Sequence, residues 1–272
     1  MKSRGEDMKN LVLESLYIET TQSNRTLRVL LPEGYNESKA NYPVLYMHDG
    51  QNCFEDKTSF SGHSWGFVQI IKDLKKKGLI EDLIVVGIDN SDLRLFEYSP
   101  WENKNDIVKY EKLKVGGMGE LYADFVVNQV KPFIDKNYRT LIDYQSSSIA
   151  GSSMGAYISC YIAAKYPDIF QNVGVFSLSS WFNEGDFLSF IRQANLRSDQ
   201  RYFISIGDCE SSDPKTPKFN EIYLNNSRNL KKLLIEKNIM DLCFIETHDI
   251  HNELAWRKVL PSFLLWLNKR SM

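Results

Sequence analysis

Short apolar runs recur along this chain, with stretches of helical periodicity between them. The runs are "YPVLYMHDG", "EDLIVVGIDN", "SSSIAG", "NVGVFSLSS", "RYFISIGD" and "DLCFIET". A run without a polar face reads as a strand covered on both sides, which is how strands of a parallel sheet look. The intervening segments supply the covering helices. "SWGFVQIIKDLKKKG" ends with Gly78 after its last turn, and "MGAYISCYIAAKYP" is closed by Pro167. "ELYADFVVNQVKPFIDKNY" is expected to kink or restart at Pro132, and "NELAWRKVLPSFLLWLNK" to bend or restart at Pro261. Two further runs, "LVLESLYIET" and "RTLRVLLP", are joined by the polar cluster "TQSN" and read as an antiparallel hairpin. The pattern predicts an α/β chain: a mostly parallel eight-stranded sheet with an antiparallel N-terminal edge hairpin and helices on both faces.

No repeat, low-complexity tract or Pro/Gly/Ser-rich linker divides the sequence, so residues 1–272 are expected to form a single domain. Residues 1–10 read as a polar tail. The stretch 91–118 is a long loop, and a loop of that length in a compact fold is usually functional. A formal net charge of −2 gives no electrostatic reason to expect nucleic acid, and Lys75–Lys77 read as a solvated helix end. The four cysteines Cys53, Cys160, Cys209 and Cys243 form no C-x-x-C pair, which disfavours zinc and fits a reducing compartment. With neither a signal peptide nor a run long enough for a membrane span, a cytoplasmic location is expected.

One stretch carries chemistry. Gly151-Ser152-Ser153-Met154-Gly155 fits G-x-S-x-G, the sharp strand-to-helix turn that exposes a nucleophilic serine. The strand "SSSIAG" precedes it and a helical pattern follows, as that turn requires. Ser153 is in the nucleophile position, and Ser152 is one residue early. A serine hydroxyl needs a base beside it. Eight strands with the serine after the fifth is the layout of an α/β-hydrolase, in which the partners follow in the order acid, then histidine. Order disfavours His48 and His63. His248 and His251 both follow the last strand, and spacing does not choose between them. The acid belongs after the seventh strand, where Asp208, Glu210 and Asp213 are candidates. Oxyanion N–H donors are expected from Met154 and from the loop "HDGQNCF", with Gln51 the second donor. A metal at His48 and Asp49 is disfavoured, because adjacent residues on a strand end face opposite ways and no third ligand is evident.

The segments "MHDGQNCF", "VVGIDN", "FEYSPW", "YADFVVNQVKPFIDKNYRT", "IAGSSMGA", "KYPDIFQNVGVFSLSSWF" and "HNELAW" together resemble the putative esterase family of α/β-hydrolases. That group lies near esterase D, feruloyl and acetyl-xylan esterases and siderophore esterases. The resemblance spans nearly the whole chain. It implies Ser153 as nucleophile and His251, at the head of "HNELAW", as the histidine. It favours Glu210 as the acid, three residues after Gly207, with Asp208 as the alternative acid because relatives often have threonine there.

Trp65, Trp101 and Trp181 fall in or beside loops over the strand ends and are candidates for lining a substrate pocket. The function implied is a serine carboxylesterase acting on small or carbohydrate-linked esters, with no metal and no cofactor. The expected partner is a small-molecule ester, without nucleic acid or membrane, and a homo-oligomer is left open. The alternatives are a siderophore lactone esterase, an acyltransferase, or a non-catalytic acyl-binding protein on the same fold.

Overall fold

A computed structural model of the chain describes residues 8–19, 21–103, 115–211 and 216–269. Among the described residues, eight strands form one sheet in the order β1-β2-β4-β3-β5-β6-β7-β8. They are β1 (Leu11–Ile18), β2 (Ser23–Leu30), β3 (Val44–His48), β4 (Ile84–Ile88), β5 (Ser147–Ser152), β6 (Asn172–Phe176), β7 (Arg201–Cys209) and β8 (Asp241–Ile250). The hairpin β1–β2 is antiparallel, with Leu11 opposite Leu30, and β2 runs antiparallel to β4. All remaining pairings are parallel. The expected mostly parallel sheet with an antiparallel N-terminal edge is therefore what the chain forms.

Burial follows position in the sheet. Strands β3, β4, β5 and β6 are buried at every residue, as inner strands of a parallel sheet covered on both faces must be. The edge strand β1 and the last half of the edge strand β8 alternate between exposed and partly buried residues. Alternate residues of the central strands feed two cores. Leu45, Met47, Val85, Phe176 and Phe203 pack beneath α1 (Phe67–Lys76) and α8 (Glu253–Asn268). Tyr46, Val86, Ile149, Val175 and Ile204 face the helices on the other side. These are α3 (Gly119–Phe125), α4 (Lys131–Asn137), α5 (Met154–Lys165), α6 (Glu184–Gln193) and α7 (Lys218–Glu236). Among the described residues, no helix is long and apolar enough to cross a membrane.

The two proline expectations come out differently. Pro132 falls in the first turn of α4, and a wider π turn, Val126–Val130, joins α3 to α4 just before it. That turn absorbs the missing N–H and the bulk of the ring. Pro261 lies inside α8, which continues without a restart. Leu260 and Phe263 on either side are fully buried, so packing holds the helix through the lost hydrogen bond.

The long stretch after β4 is less open than expected. It contains a short helix, α2 (Arg94–Glu97), and its neck is closed by a bridge between Glu102 and Gly116. Residues 104–114 lie outside the described residues. Gly116 (φ 104°) allows the closure, since a Cβ there would lie 2.2 Å from the Trp101 carbonyl oxygen.

Packing at the sheet centre predicts opposite outcomes for two glycine-to-alanine changes. A Cβ on Gly174 would sit 2.6 Å from Ala150 Cβ and 2.7 Å from Phe263 Cζ. Gly174→Ala is therefore expected to lower stability by about 1–3 kcal/mol in urea unfolding. A Cβ on Gly185, in the first turn of α6, meets nothing within 4 Å. Gly185→Ala is expected to be neutral or to stabilise by up to about 1 kcal/mol.

Candidate active site

The C-terminal ends of the parallel strands gather the residues singled out in the sequence. β5 ends at Ser152, and Ser153 turns the chain into α5 with φ 59° and ψ −123°. Positive φ is unusual for a non-glycine residue and costs on the order of 1–3 kcal/mol, so the surroundings must hold it. The Ser153 N–H donates to the Phe176 carbonyl at 2.9 Å, and the Ser153 carbonyl accepts from the Ala156 and Tyr157 N–H groups. The flanking glycines are needed because the backbone crosses itself: a Cβ on Gly151 would fall 2.6 Å from the Gly155 carbonyl carbon.

His251 and Glu210 meet on the neighbouring strand ends. Glu210 Oε2 accepts from His251 Nδ1 at 2.5 Å. The Glu210 side chain is only 1% exposed. Its other oxygen, Oε1, accepts from the Ser177 hydroxyl at 2.6 Å and the Gly207 N–H at 2.7 Å. The Trp256 indole N–H donates in turn to Ser177 Oγ at 2.9 Å. A buried carboxylate is costly unless its lone pairs are filled, and here both oxygens are. The His251 ring lies between Tyr223, 4.9 Å away, and Trp256, 5.1 Å away and edge-on. The next residue, Asn252, caps α8 by accepting from the Ala255 N–H at 2.9 Å, which fixes the chain just after the imidazole. With Nδ1 donating to a carboxylate, Nε2 carries the free lone pair.

The alternative acid, Asp208, pairs with the other histidine. Its carboxylate lies 2.8 and 3.1 Å from His248 Nδ1. This pair is open to solvent, with His248 84% and Asp208 48% exposed. The hydrogen bond between them lowers the Asp208 pKa and raises that of His248. The third candidate acid, Asp213, lies outside the described residues.

The Ser153 hydroxyl lies 3.0 Å from Ser179 Oγ, which is 3.1 Å from the Tyr223 hydroxyl. Among the described residues, no hydrogen bond joins Ser153 to His251, so the side chain is turned onto Ser179. Tyr223, Ser179, Ser177 and Trp256 are the neighbours that sequence reasoning missed. Ser177 and Ser179 were visible only as parts of "FSLSS", and Tyr223 as one residue of a helical pattern.

Met154 opens α5, and the first N–H groups of a helix have no partner within it. Gln51 sits on the turn Gly50–Asn52, directly after β3 and next to β5 in the sheet. This turn is tightly held. Asp49 (φ 56°) precedes it, and Arg94 clamps the Asp49 carboxylate with two bonds of 2.7 and 2.8 Å. Asn90 adds a third at 2.6 Å. Burial alone would raise the Asp49 pKa, but the Arg94 and Asn90 contacts outweigh it and hold the carboxyl below its ordinary value. Gly50 lies against the β4 backbone, where a Cβ would be 2.4 Å from the Gly87 carbonyl carbon. His48 donates or accepts through Nδ1 to the Tyr122 hydroxyl at 2.8 Å, and burial pushes its pKa down to about 3, so it is neutral.

The three tryptophans separate. Trp65 is 2% exposed and packs on Phe67, Phe176 and Trp256, so it belongs to the core and offers no face to a substrate. Its place in the sequence, beside a loop, concealed that it lies beneath α8. The Trp101 ring packs on Tyr157, Tyr161 and Phe190. Trp181 is half-buried and forms an aromatic wall with Phe219 and Tyr223.

Comparison with known proteins is consistent with this geometry. A family model described as "Putative esterase" matches residues 18–267. The uncharacterised protein YbbA of Bacillus subtilis (strain 168) is 26% identical over 253 residues, covering 92% of this chain and 94% of its own. Esterase Rv1288 of Mycobacterium tuberculosis (strain ATCC 25618 / H37Rv) is 29% identical over 175 residues, which is 64% of this chain and 33% of that protein. Among solved structures, the siderophore hydrolase EstA from Aspergillus nidulans superposes with a TM-score of 0.76 at 16% identity, covering 100% of this chain and 98% of that one. With the fold and nearly its whole length accounted for, the chain belongs to the putative esterase family of α/β-hydrolases.

Proposed function

We propose that the chain is a serine carboxylesterase that hydrolyses small or carbohydrate-linked carboxylic esters through an acyl-enzyme on Ser153. The observation that carries this reading is the buried Glu210–His251 pair, with its 2.5 Å hydrogen bond, at the same sheet end as the strained Ser153 turn. On ester binding, rotation about the Ser153 Cα–Cβ bond moves its hydroxyl from Ser179 to His251 Nε2. His251 takes the proton as Ser153 Oγ attacks the carbonyl carbon. Glu210 holds the imidazole in the required tautomer and stabilises the imidazolium. The tetrahedral oxyanion rests on the Met154 and Gln51 N–H groups. The ester C–O bond then breaks, and the alcohol leaves with the proton from His251. Water repeats the sequence on the acyl-enzyme, releasing the acid and restoring Ser153.

Glu210 rather than Asp208 serves as the acid in this reading. Removing its charge leaves an unfavourable imidazolium in a buried site, whereas Asp208 lies in water beside His248. Trp181 packs edge-to-face with Phe219 and Tyr223, an aromatic cluster suited to contact with an aryl acyl group or a sugar face. The likeness to a siderophore hydrolase is one of fold at 16% identity and selects no substrate.

Ser153→Ala is expected to reduce p-nitrophenyl acetate turnover by about 10⁴-fold or more with an unchanged circular dichroism spectrum. Glu210→Gln is expected to lower kcat by about 10²–10⁴-fold, and Asp208→Asn to leave it within about twofold. If Asp208→Asn is the more damaging change, the acid has been misassigned. Trp181→Ala is expected to weaken kcat/KM for an aryl acyl ester by about 3–10-fold relative to acetate, the worth of one aromatic contact. Equal losses on both esters would remove Trp181 from the pocket.

A further inference from the structure

The exposed Asp208–His248 pair, which takes no part in the proposed reaction, has a third neighbour. Cys209 Sγ lies 3.7 Å from His248 Nδ1, the same nitrogen that faces the Asp208 carboxylate. One ligand atom from each of the three side chains falls within 4.8 Å of the other two. Regular strand geometry would prevent this, because consecutive residues point to opposite faces. The sheet is irregular here: Gly207 stands opposite Thr247, yet Cys209 stands opposite Ile250, so β8 carries one residue more than β7 between these pairs. A bulge of this kind re-aims side chains. Gly207 permits it, since a Cβ there would lie 2.2 Å from the Asp249 carbonyl oxygen.

We propose that Asp208, Cys209 and His248 form a surface site for a divalent transition-metal ion, with Zn²⁺ the ion their donors suit. A carboxylate oxygen, a thiolate sulfur and an imidazole nitrogen are zinc donors, and water completes a four-coordinate shell. Bonds of about 2.0–2.3 Å in a tetrahedral shell separate ligand atoms by roughly 3–4 Å, close to the spacing already present. The ligands therefore need little rearrangement, and the exposed His248 leaves the approach open. On binding, the S–H proton passes to solvent and the ion takes its place between sulfur and carboxylate. The site ties the end of β7 to the end of β8. Cys209 directly precedes Glu210, and His248 lies three residues before His251, so an occupied site braces both partners of the buried pair.

The test uses the full chain stripped of metal with chelator. Titration with Co²⁺ is expected to give a thiolate-to-cobalt charge-transfer band saturating at about one equivalent, and Zn²⁺ is expected to abolish it. Cys209→Ala removes the band. Zn²⁺ affinity by calorimetry falls by about tenfold or more in Cys209→Ala and in His248→Ala. It is unchanged in Cys243→Ala and in His251→Ala. Zn²⁺ raises the thermal midpoint of the wild type but not of Cys209→Ala, as binding to the native state requires. A wild type without the band, variants that bind as tightly as wild type, or binding lost only with His251→Ala would each overturn the proposal.

Discussion

The burial of the Glu210 carboxylate sets the geometry around which the rest of the site is arranged. An ionised carboxylate out of water is costly by several kcal/mol unless charge and hydrogen bonds compensate. Its compensation comes from the ends of several elements: the Gly207 N–H from β7, the Ser177 hydroxyl from the end of β6, and His251 from the end of β8. Trp256 on α8 reaches Ser177. Each donor has one productive position, so together they fix how three strand ends and a helix start meet. The same arrangement leaves His251 with a defined tautomer and little freedom of rotation between Tyr223 and Trp256.

Backbone strain is concentrated at the same end of the sheet. Asp49, Ser153 and Ser177 follow β3, β5 and β6 directly, and all three hold positive φ without being glycine. Such conformations persist only where the surroundings over-determine them. Asp49 is held by Arg94 and Asn90, Ser153 by the Gly151–Gly155 crossing, and Ser177 by Glu210 and Trp256. Farther out, the buried Arg25–Glu97 pair at 2.7 Å anchors α2, which carries Arg94, to the sheet. A second tie crosses the site, where Asn52 donates to Glu253 at 3.2 Å and so joins the Gly50–Asn52 turn to the first turn of α8.

Much of this was legible in the sequence because it depends on local pattern. Apolar runs marked most of the buried strands, the two runs joined by "TQSN" marked the edge hairpin, and the two glycines around Ser153 marked the turn. What could not be read depends on which way side chains point after a strand ends. Asp208 and Glu210 are two residues apart and His248 and His251 three, so the residues alone allow either acid to be matched with either histidine. The extra residue in β8 decides the pairing, one pair in water and one buried. Tyr223 gave no signal because a helix interior position says nothing about what lies opposite its hydroxyl. Trp65 misled because sequence proximity to a loop does not reveal that Trp256, from the far end of the chain, covers it.

The proposed reaction requires that Ser153, and not a neighbouring serine, form the covalent intermediate. Ser152 precedes it, and Ser179 lies 3.0 Å from its hydroxyl, so the assignment calls for site-resolved chemistry. The most direct measurement is peptide mass spectrometry of the intact protein after reaction with a fluorophosphonate. A single phosphonyl adduct on Ser153 is expected, formed at native pH and absent from the denatured chain. An adduct on Ser152 or Ser179, or none on a folded protein that still hydrolyses esters, would contradict it.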